Sequence, residues 1–401
     1  MAIIKSILDQ DLYSFTVGYL YLKKFPRAQG VYTFNDRNKT CYPIGFAEKV
    51  MNEIREMENL SLTDGEASFM KEKCYYLPDW YFTFLAGYKF NSKEVSVKQD
   101  EDGHLSIEIT GYLWRTVYWE VPILAIISEL YHKEIGDDTK IDEWKIITDT
   151  DEKAIKLLQN GLIFSDFGTR RRYSFAVQDL VVKTFKESYN RAKHYKVPGK
   201  FVGTSNVYLA MKYDLTPVGT MSHQVISMCG ALFGYKEANY LAMEYWQDTF
   251  DADLGIFLYD TYGWDAFQRN FSKKHAKLFD GLRVDSGDNF EQADKIIEKY
   301  QSLDIDPTTK KVTFSNGLST DEAIEIHKYI NGRLIDNYGI GTHFTCDIEN
   351  VKPMNIVIKL TMARITEKLD WQAAIKLSSD KGKYTGDLNE VELCKKKLKI
   401  D

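Results

Sequence analysis

Nowhere in the 401 residues does a run of about twenty apolar residues occur, so the sequence offers no membrane-spanning helix. Positive charge is not in excess either. With 52 Lys and Arg against 58 Asp and Glu the net charge is -6, which excludes a generally basic nucleic-acid binder and makes any phosphate site a local concentration of cations. Cysteine is sparse: Cys41, Cys74, Cys229, Cys346 and Cys394 are odd in number, scattered and without a C-x-x-C pair. Neither a disulfide framework nor a cysteine-based zinc site is expected, only plain buried or surface thiols. No low-complexity linker divides the chain. The opening Met1-Ala2-Ile3-Ile4-Lys5 runs into an acidic amphipathic segment and does not read as a signal peptide, so a cytoplasmic protein without membrane or nucleic-acid partners is expected.

The length suggests two or three domains. Residues 9–24 predict a helix opened by Asp9 or Asp11 and closed before Pro26, apolar on two faces. Such a helix is deeply buried or shared with a partner chain. A strand at Val31–Phe34, helices near Ile44–Met57 and after Thr63, and a hairpin around Asp100-Glu101-Asp102-Gly103 complete an α+β first unit over 1–143. From about residue 144 the texture changes to short apolar strand, polar turn and amphipathic helix, repeated to the end. That alternation predicts an α/β fold with an irregular parallel β/α barrel over 144–401. The tail from Asp380, with its lysine triplet, reads as a solvated helix or frayed end.

Seven turns follow the predicted barrel strands: SDFGTRRR (165–172), GTSN (203–206), GTMSH (219–223), YDTYG (259–263), VDSGD (284–288), SNG (315–317) and GIGTH (339–343). In a β/α barrel such turns gather on one rim and build one pocket. The first is the most informative. Arg170, Arg171 and Arg172 precede a helical pattern, and guanidinium forks together with the N–H groups of a first helical turn favour phosphate or pyrophosphate. For Arg171 and Arg172 the alternative is a solvated surface charge. The glycines and threonines of Gly203-Thr204 and Gly339–Thr342 allow a phosphate close to backbone N–H groups.

Asp285 and Asp288, with Asp260 across the rim, have the hardness for Mg²⁺ held mainly by substrate phosphates, although Asp288 could equally cap the next helix. Arg283 stands two residues before Asp285 on the same strand face, as an anion clamp or as an internal ion pair. His223 falls within a Gly/Ser/Thr-rich rim turn, where it could act as base, metal ligand or phosphate-accepting nucleophile. His343 is a second candidate, and the other five histidines are expected on the surface.

The ordered set DLYSFT, SDFGTRRR, GTSNVYLA, PVGTMSH, VDSGD, FSNGL and YGIGTHFTCDIENVKPMNIVIKL resembles the bacterial nicotinate phosphoribosyltransferases over nearly the whole chain. The resemblance implies transfer of phosphoribose from phosphoribosyl pyrophosphate to nicotinate in NAD biosynthesis, with ATP as co-substrate, Mg²⁺ as cofactor, and a homodimer with shared sites. It implies that Phe167 stacks on one pyridine face and Tyr13 of a second subunit on the other. It further implies that Arg170 holds phosphate, that Arg283 and Ser205 lie near the substrate carboxylate, and that Gly341 and Thr342 bind the 5′-phosphate; Arg283 and Asp285 are expected to be catalytic with His223, and Asp260 to bind substrate. His223 matches the histidine that ATP phosphorylates. The nicotinamide enzymes have aspartate where Ser205 stands, so serine favours the acid. Two departures are visible: Tyr338 where the family commonly has Phe, and Ser222-His223-Gln224 where it often has Ala-His-Glu. The competing expectations are a nicotinamide enzyme and a catalytically idle barrel that binds a phosphorylated metabolite.

Overall fold

The computed structural model describes residues 2–136, 141–219, 221–377 and 384–400. The chain builds two sheets. Strands β1 (Gln29–Asp36), β2 (Val95–Gln99) and β3 (Leu105–Tyr112) start the first, and β4 (Ile163–Asp166), β5 (Lys200–Thr204), β6 (Thr216–Pro217), β7 (Ile256–Leu258), β8 (Gly281–Val284), β9 (Lys311–Phe314) and β10 (Ile335–Ile340) form the second. Strands β11 (Ile356–Arg364) and β12 (Gln372–Ala373) return to the first sheet, whose order is β12-β11-β1-β3-β2.

The expected hairpin is β2–β3, antiparallel, with Val95 opposite Ile109. Its turn closes through Gly103 N–H donating to the Asp100 carbonyl at 3.1 Å, with Gly103 at φ +87°, a conformation that suits glycine. In β3, Ile107 and Ile109 are buried while Ser106 and Glu108 face solvent, the alternation of a sheet covered on one side. The sheet does not stop at residue 143. β1 lies between β3 and β11, so strands from beyond residue 355 complete the sheet of the first unit.

The second sheet runs β6-β5-β4-β10-β9-β8-β7, all parallel. Read as a ring this is chain order, with β10 bonded back to β4 and the ladder interrupted between β6 and β7. The result is the expected irregular barrel, open along one seam. Its strands are short and mostly buried, because helices such as Phe175–Lys193 and Asn289–Ser302 cover the outside.

The two-faced helix spans Leu12–Lys24, and every residue from Leu12 to Tyr21 is buried within the single chain. It packs on the helices Leu113–Thr116 and Ala238–Phe250. Tyr19 meets Trp80, Tyr81 and Phe250 with ring centroids 5.2 to 5.7 Å apart, and a Cβ at Gly18 would run into the Tyr118 hydroxyl. Neither Asp9 nor Asp11 caps this helix by its side chain, because both carboxylates are engaged behind the barrel rim. Among the residues after Asp380, the helix Leu388–Leu398 is not simply solvated: Val391, Cys394 and Leu398 are buried.

Candidate active site

Each parallel strand ends in one of the seven motifs. Side chains from four of these turns and from the antiparallel sheet enclose a cavity of about 270 Å³. Arg170, Arg171, Arg283, Lys359, Lys376 and Arg37 line it against Glu120 and Asp285. A wall with so many cations is built for an anion. A second cavity of about 130 Å³ lies among the strands, lined by Phe167, Thr313, Asn337 and Tyr338. Arg283 borders both cavities, and its guanidinium sits 5.6 Å from the centre of the Phe167 ring.

His223 opens the helix His223–Phe233. Its Nε2 is 2.8 Å from Asp260 Oδ1, 3.5 Å from Asp285 Oδ2 and 2.8 Å from Lys376 Nζ. Burial, and then Lys376, push its pKa down to about 4 against the pull of Asp260 and Asp285. The imidazole is therefore neutral at pH 7, and one nitrogen cannot serve both neighbours. Protonated, Nε2 donates to Asp260; bare, it accepts from Lys376.

Asp260 is fully buried and accepts a further bond from Ser286 Oγ at 2.7 Å. Burial acts to raise its pKa, but Lys376 and His223 overcome this and hold it well below the ordinary carboxylate range. Asp285 is held low in the same way, chiefly by Arg283, which donates to it at 2.8 Å while Ser315 Oγ donates to the same oxygen at 2.7 Å. His223, Asp260 and Asp285 offer ligand atoms all within 4.8 Å of one another. Two carboxylates so placed, completed by phosphate oxygens, suit Mg²⁺. Asp288 is not brought to them. Its carboxylate accepts from Glu291 N–H at 2.9 Å and caps the helix Asn289–Ser302, which corrects its reading as a ligand.

The three arginines of the first turn separate. Arg172 is fully buried and forks onto Asp9 at 2.6 and 3.0 Å, so it is neither a phosphate ligand nor a solvated charge. Asn206 Nδ2 donates to the same carboxylate at 2.8 Å. Arg170 faces the cavity between Asp11 (3.5 Å) and Glu120 (3.9 Å), with the Tyr13 ring centre 6.0 Å away. Arg171 has no ion-pair partner among the described residues; burial, then Arg170 and Arg37, lower its pKa to about 10. Arg37 is exposed and equally unpaired among them. Ser222 Oγ and Gln224 Nε2 line the same cavity, buried and without hydrogen-bond partners among the described residues.

Two family models match the chain: the nicotinate phosphoribosyltransferase (NAPRTase) N-terminal domain over residues 8–128 and the nicotinate phosphoribosyltransferase (NAPRTase) family over 162–401. A nicotinate phosphoribosyltransferase of Desulforapulum autotrophicum is 41% identical over 395 residues, covering 98% of this chain and 99% of that one. One of Chromohalobacter salexigens is 40% identical, covering 98% of both chains. The chain belongs to the nicotinate phosphoribosyltransferase family. The crystal structure of the Porphyromonas gingivalis nicotinate phosphoribosyltransferase superposes with a TM-score of 0.94 at 45% identity, covering 99% of this chain and 100% of that chain.

Within this family frame, His223, Asp260, Asp285, Arg283 and Arg170 come together as the sequence led us to expect, with Phe167 beside them. Tyr13 lines the cavity of its own chain. Ser205 does not line either cavity: it is buried, and its hydroxyl donates to Asp11 Oδ1 at 2.7 Å. Gly341 and Thr342 are likewise outside both linings; their turn packs against the arginine turn, where Thr345 Oγ1 donates to the Gly168 carbonyl at 3.0 Å. His343 meets Thr320 Oγ1 at 3.1 Å instead of the cavity. Two histidines expected on the surface are buried, His132 stacked on Tyr173 and His275 against Glu244. The hydroxyl that distinguishes Tyr338 from the common Phe donates to Asp336 at 2.6 Å.

Sequence reading missed Lys359, Lys376, Glu120 and Arg37. The two lysines carried no signal: each stands between two buried apolar residues, Ile358 and Leu360 or Ile375 and Leu377, the alternation that ordinarily turns a polar side chain to solvent.

Proposed function

We propose that this chain transfers phosphoribose from phosphoribosyl pyrophosphate to the ring nitrogen of nicotinate, releasing pyrophosphate, and that ATP phosphorylates His223 in support. The observation that carries the reading is Arg283. It borders the cation-lined cavity on one side and the Phe167 ring on the other, so an aromatic acid can stack on Phe167 with its carboxylate toward the guanidinium while a polyanion occupies the larger space. The pyridine nitrogen forms a bond to the anomeric carbon as the carbon–oxygen bond to pyrophosphate breaks, and the electron pair leaves with pyrophosphate. Little acid or base help is needed; positioning and neutralisation of the leaving charge by Arg170, Arg171, Lys359 and Lys376 supply the rate. Asp260 and Asp285 would hold Mg²⁺, which supplies further neutralisation of the pyrophosphate when bound.

In the ATP half of the proposal a neutral imidazole nitrogen of His223 forms a bond to the γ-phosphorus as the bond to ADP breaks. Burial and Lys376 favour the neutral ring that this requires. Selectivity for the acid over the amide rests on Arg283, because Ser205 is turned onto Asp11. A homodimer of 46.5 kDa chains belongs to the same proposal and is tested by light scattering.

The test is pyrophosphate release with nicotinate and with nicotinamide, each with and without ATP, on the wild type and His223→Ala. We expect release with nicotinate that rises with ATP, and loss of the ATP effect in the variant. Preference for nicotinamide refutes the acceptor; ATP stimulation that survives in His223→Ala refutes the phosphohistidine.

A further inference from the structure

Gln224 and Ser222 flank His223 at the start of the eleven-residue helix His223–Phe233. Gln224 is only 6% exposed. Its Oε1 accepts from Tyr32 Oη at 2.6 Å, and Tyr21 Oη lies 3.5 Å away. Neither tyrosine lines the cavity, whereas Gln224 does. The amide is thus pinned by its oxygen on the core side, and its Nε2, buried and without a partner among the described residues, is the end left for the cavity. Ser222 occupies the N-cap, yet its side chain makes no capping bond, and its Oγ is also buried and without a partner among the described residues. The first N–H groups of a helix find no partner within its regular bonding, although that of Val225 donates to the Ser222 carbonyl at 3.2 Å. Ser222 Oγ and Gln224 Nε2 therefore flank His223 at the cavity, and neither is satisfied among the described residues.

The charges around this point decide what satisfies them. Lys376 lies 2.8 Å from His223 Nε2, and Arg171 and Arg37 line the same cavity without ion-pair partners among the described residues. Asp260, Asp285 and Glu120 are the opposing charges, but Lys376, Ser286, Arg283, Ser315 and Lys359 already engage them. A cradle that offers donors at a helix start, backed by cations without ion-pair partners among the described residues, fits phosphate oxygens.

We propose that Ser222, Gln224 and the first turn of this helix form a phosphoryl-oxygen subsite beside His223. The proposal rests on the phosphoribosyltransferase reading for the source of the phosphoryl group. That source is either the group carried on His223 or the pyrophosphate released in transfer. Gln224 and Ser222 are positioning residues: they hold an oxygen and take no part in bond making.

Gln224→Glu keeps an acceptor for Tyr32 and replaces the donor by a carboxylate. Ser222→Ala removes only a hydroxyl that caps nothing, so it tests the subsite even where Gln224→Glu fails to fold. Two readouts separate the sources. Binding of inorganic pyrophosphate with Mg²⁺ is measured by calorimetry, and acid-labile label from γ-labelled ATP is followed as amount and lifetime. Each hydrogen bond to a charged oxygen is expected to be worth roughly tenfold to a hundredfold, so Ser222→Ala and Gln224→Glu should weaken one or both readouts by at least about tenfold. Loss confined to pyrophosphate affinity assigns the subsite to the leaving group, and loss confined to the label assigns it to His223. Gln224→Met, which has no donor, should resemble Gln224→Glu in direction and be milder. Undiminished pyrophosphate affinity and undiminished label in Ser222→Ala overturn the proposal. If the wild type takes no label from ATP, the phosphohistidine reading fails while the pyrophosphate arm still decides the subsite.

Discussion

Lys376→Met isolates the charge that keeps His223 neutral. The ammonium lies 2.8 Å from Nε2 and is second only to burial among the causes that lower the imidazole pKa to about 4. At an effective dielectric of about 20, two unit charges 2.8 Å apart repel by about 6 kcal/mol. Even a quarter of that, about 1.5 kcal/mol after relaxation and water entry, is about one pKa unit. With Lys376 gone, Asp260 and Asp285 remain to favour the imidazolium. We therefore expect the His223 pKa to rise from about 4 to at least about 5. Histidine labelled with ¹³C at Cε1 reports this by NMR between pH 3.5 and 8, the His223 resonance being the one lost in His223→Ala. In the same variant the acid limb of ATP labelling should move to higher pH, because the protonated ring cannot attack phosphorus. Methionine also removes a cation from the phosphate wall, so the rate falls at every pH and only the midpoint tests the argument. An unchanged or lower midpoint in both titrations refutes the assigned cause.

Other perturbations follow from the same geometry. Arg172→Met strands the Asp9 carboxylate in a fully buried position, and should cost about 3–5 kcal/mol in urea unfolding; Asp9→Leu added to it should recover part of the loss, and a single variant as stable as wild type contradicts the pairing. Arg171→Met, at an unpaired cavity arginine, should leave stability within about 0.5 kcal/mol yet weaken pyrophosphate binding and flatten its salt dependence, by calorimetry at two ionic strengths. A Cβ at Gly339 would overlap the Phe167 ring, so Gly339→Ala should raise KM for nicotinate with pyrophosphate affinity unchanged; equal loss of both would mean that Phe167 does not define the acceptor side.

What the sequence made readable were the features that act locally. Each of the seven rim turns pairs a short apolar strand with Gly, Ser, Thr or Asp at its carboxyl end, and the residues that end a strand also face the rim. His223, Asp260, Arg283 and Asp285 could be grouped for that reason. Roles set by distant contacts were not readable. Asp9 and Asp11 look like helix caps until the chain brings Arg172 and Ser205 to them across more than 160 residues. Lys359 faces Glu120 only because β11 pairs with β1, which lies more than 300 residues earlier. Asp288 stayed ambiguous because one spacing serves both a cap and a ligand, and only its bond to Glu291 N–H decides between them.

The distribution of charge in the cavity also explains how a chain with net charge -6 can bind polyanions. Its cations fall into two groups. Arg283, Lys376, Arg170 and Lys359 are each tied to a carboxylate, Asp285, Asp260, Asp11 or Glu120, at distances from 2.8 to 3.5 Å. Those pairs fix long side chains in place before any ligand arrives, so little rotamer entropy is lost on binding. Arg37 and Arg171 are untied among the described residues, and burial, then repulsion from Arg170 and Arg37, lowers the Arg171 pKa. An anion entering the cavity relieves that repulsion and is met by donors already oriented. Fixed pairs thus supply geometry and untied arginines supply net attraction, which is why Lys359→Met and Arg171→Met should differ in kind. Loss of Lys359 frees Glu120 beside Arg170 and should lower kcat, whereas loss of Arg171 should act on affinity. Identical kcat and KM changes in the two variants would remove the distinction.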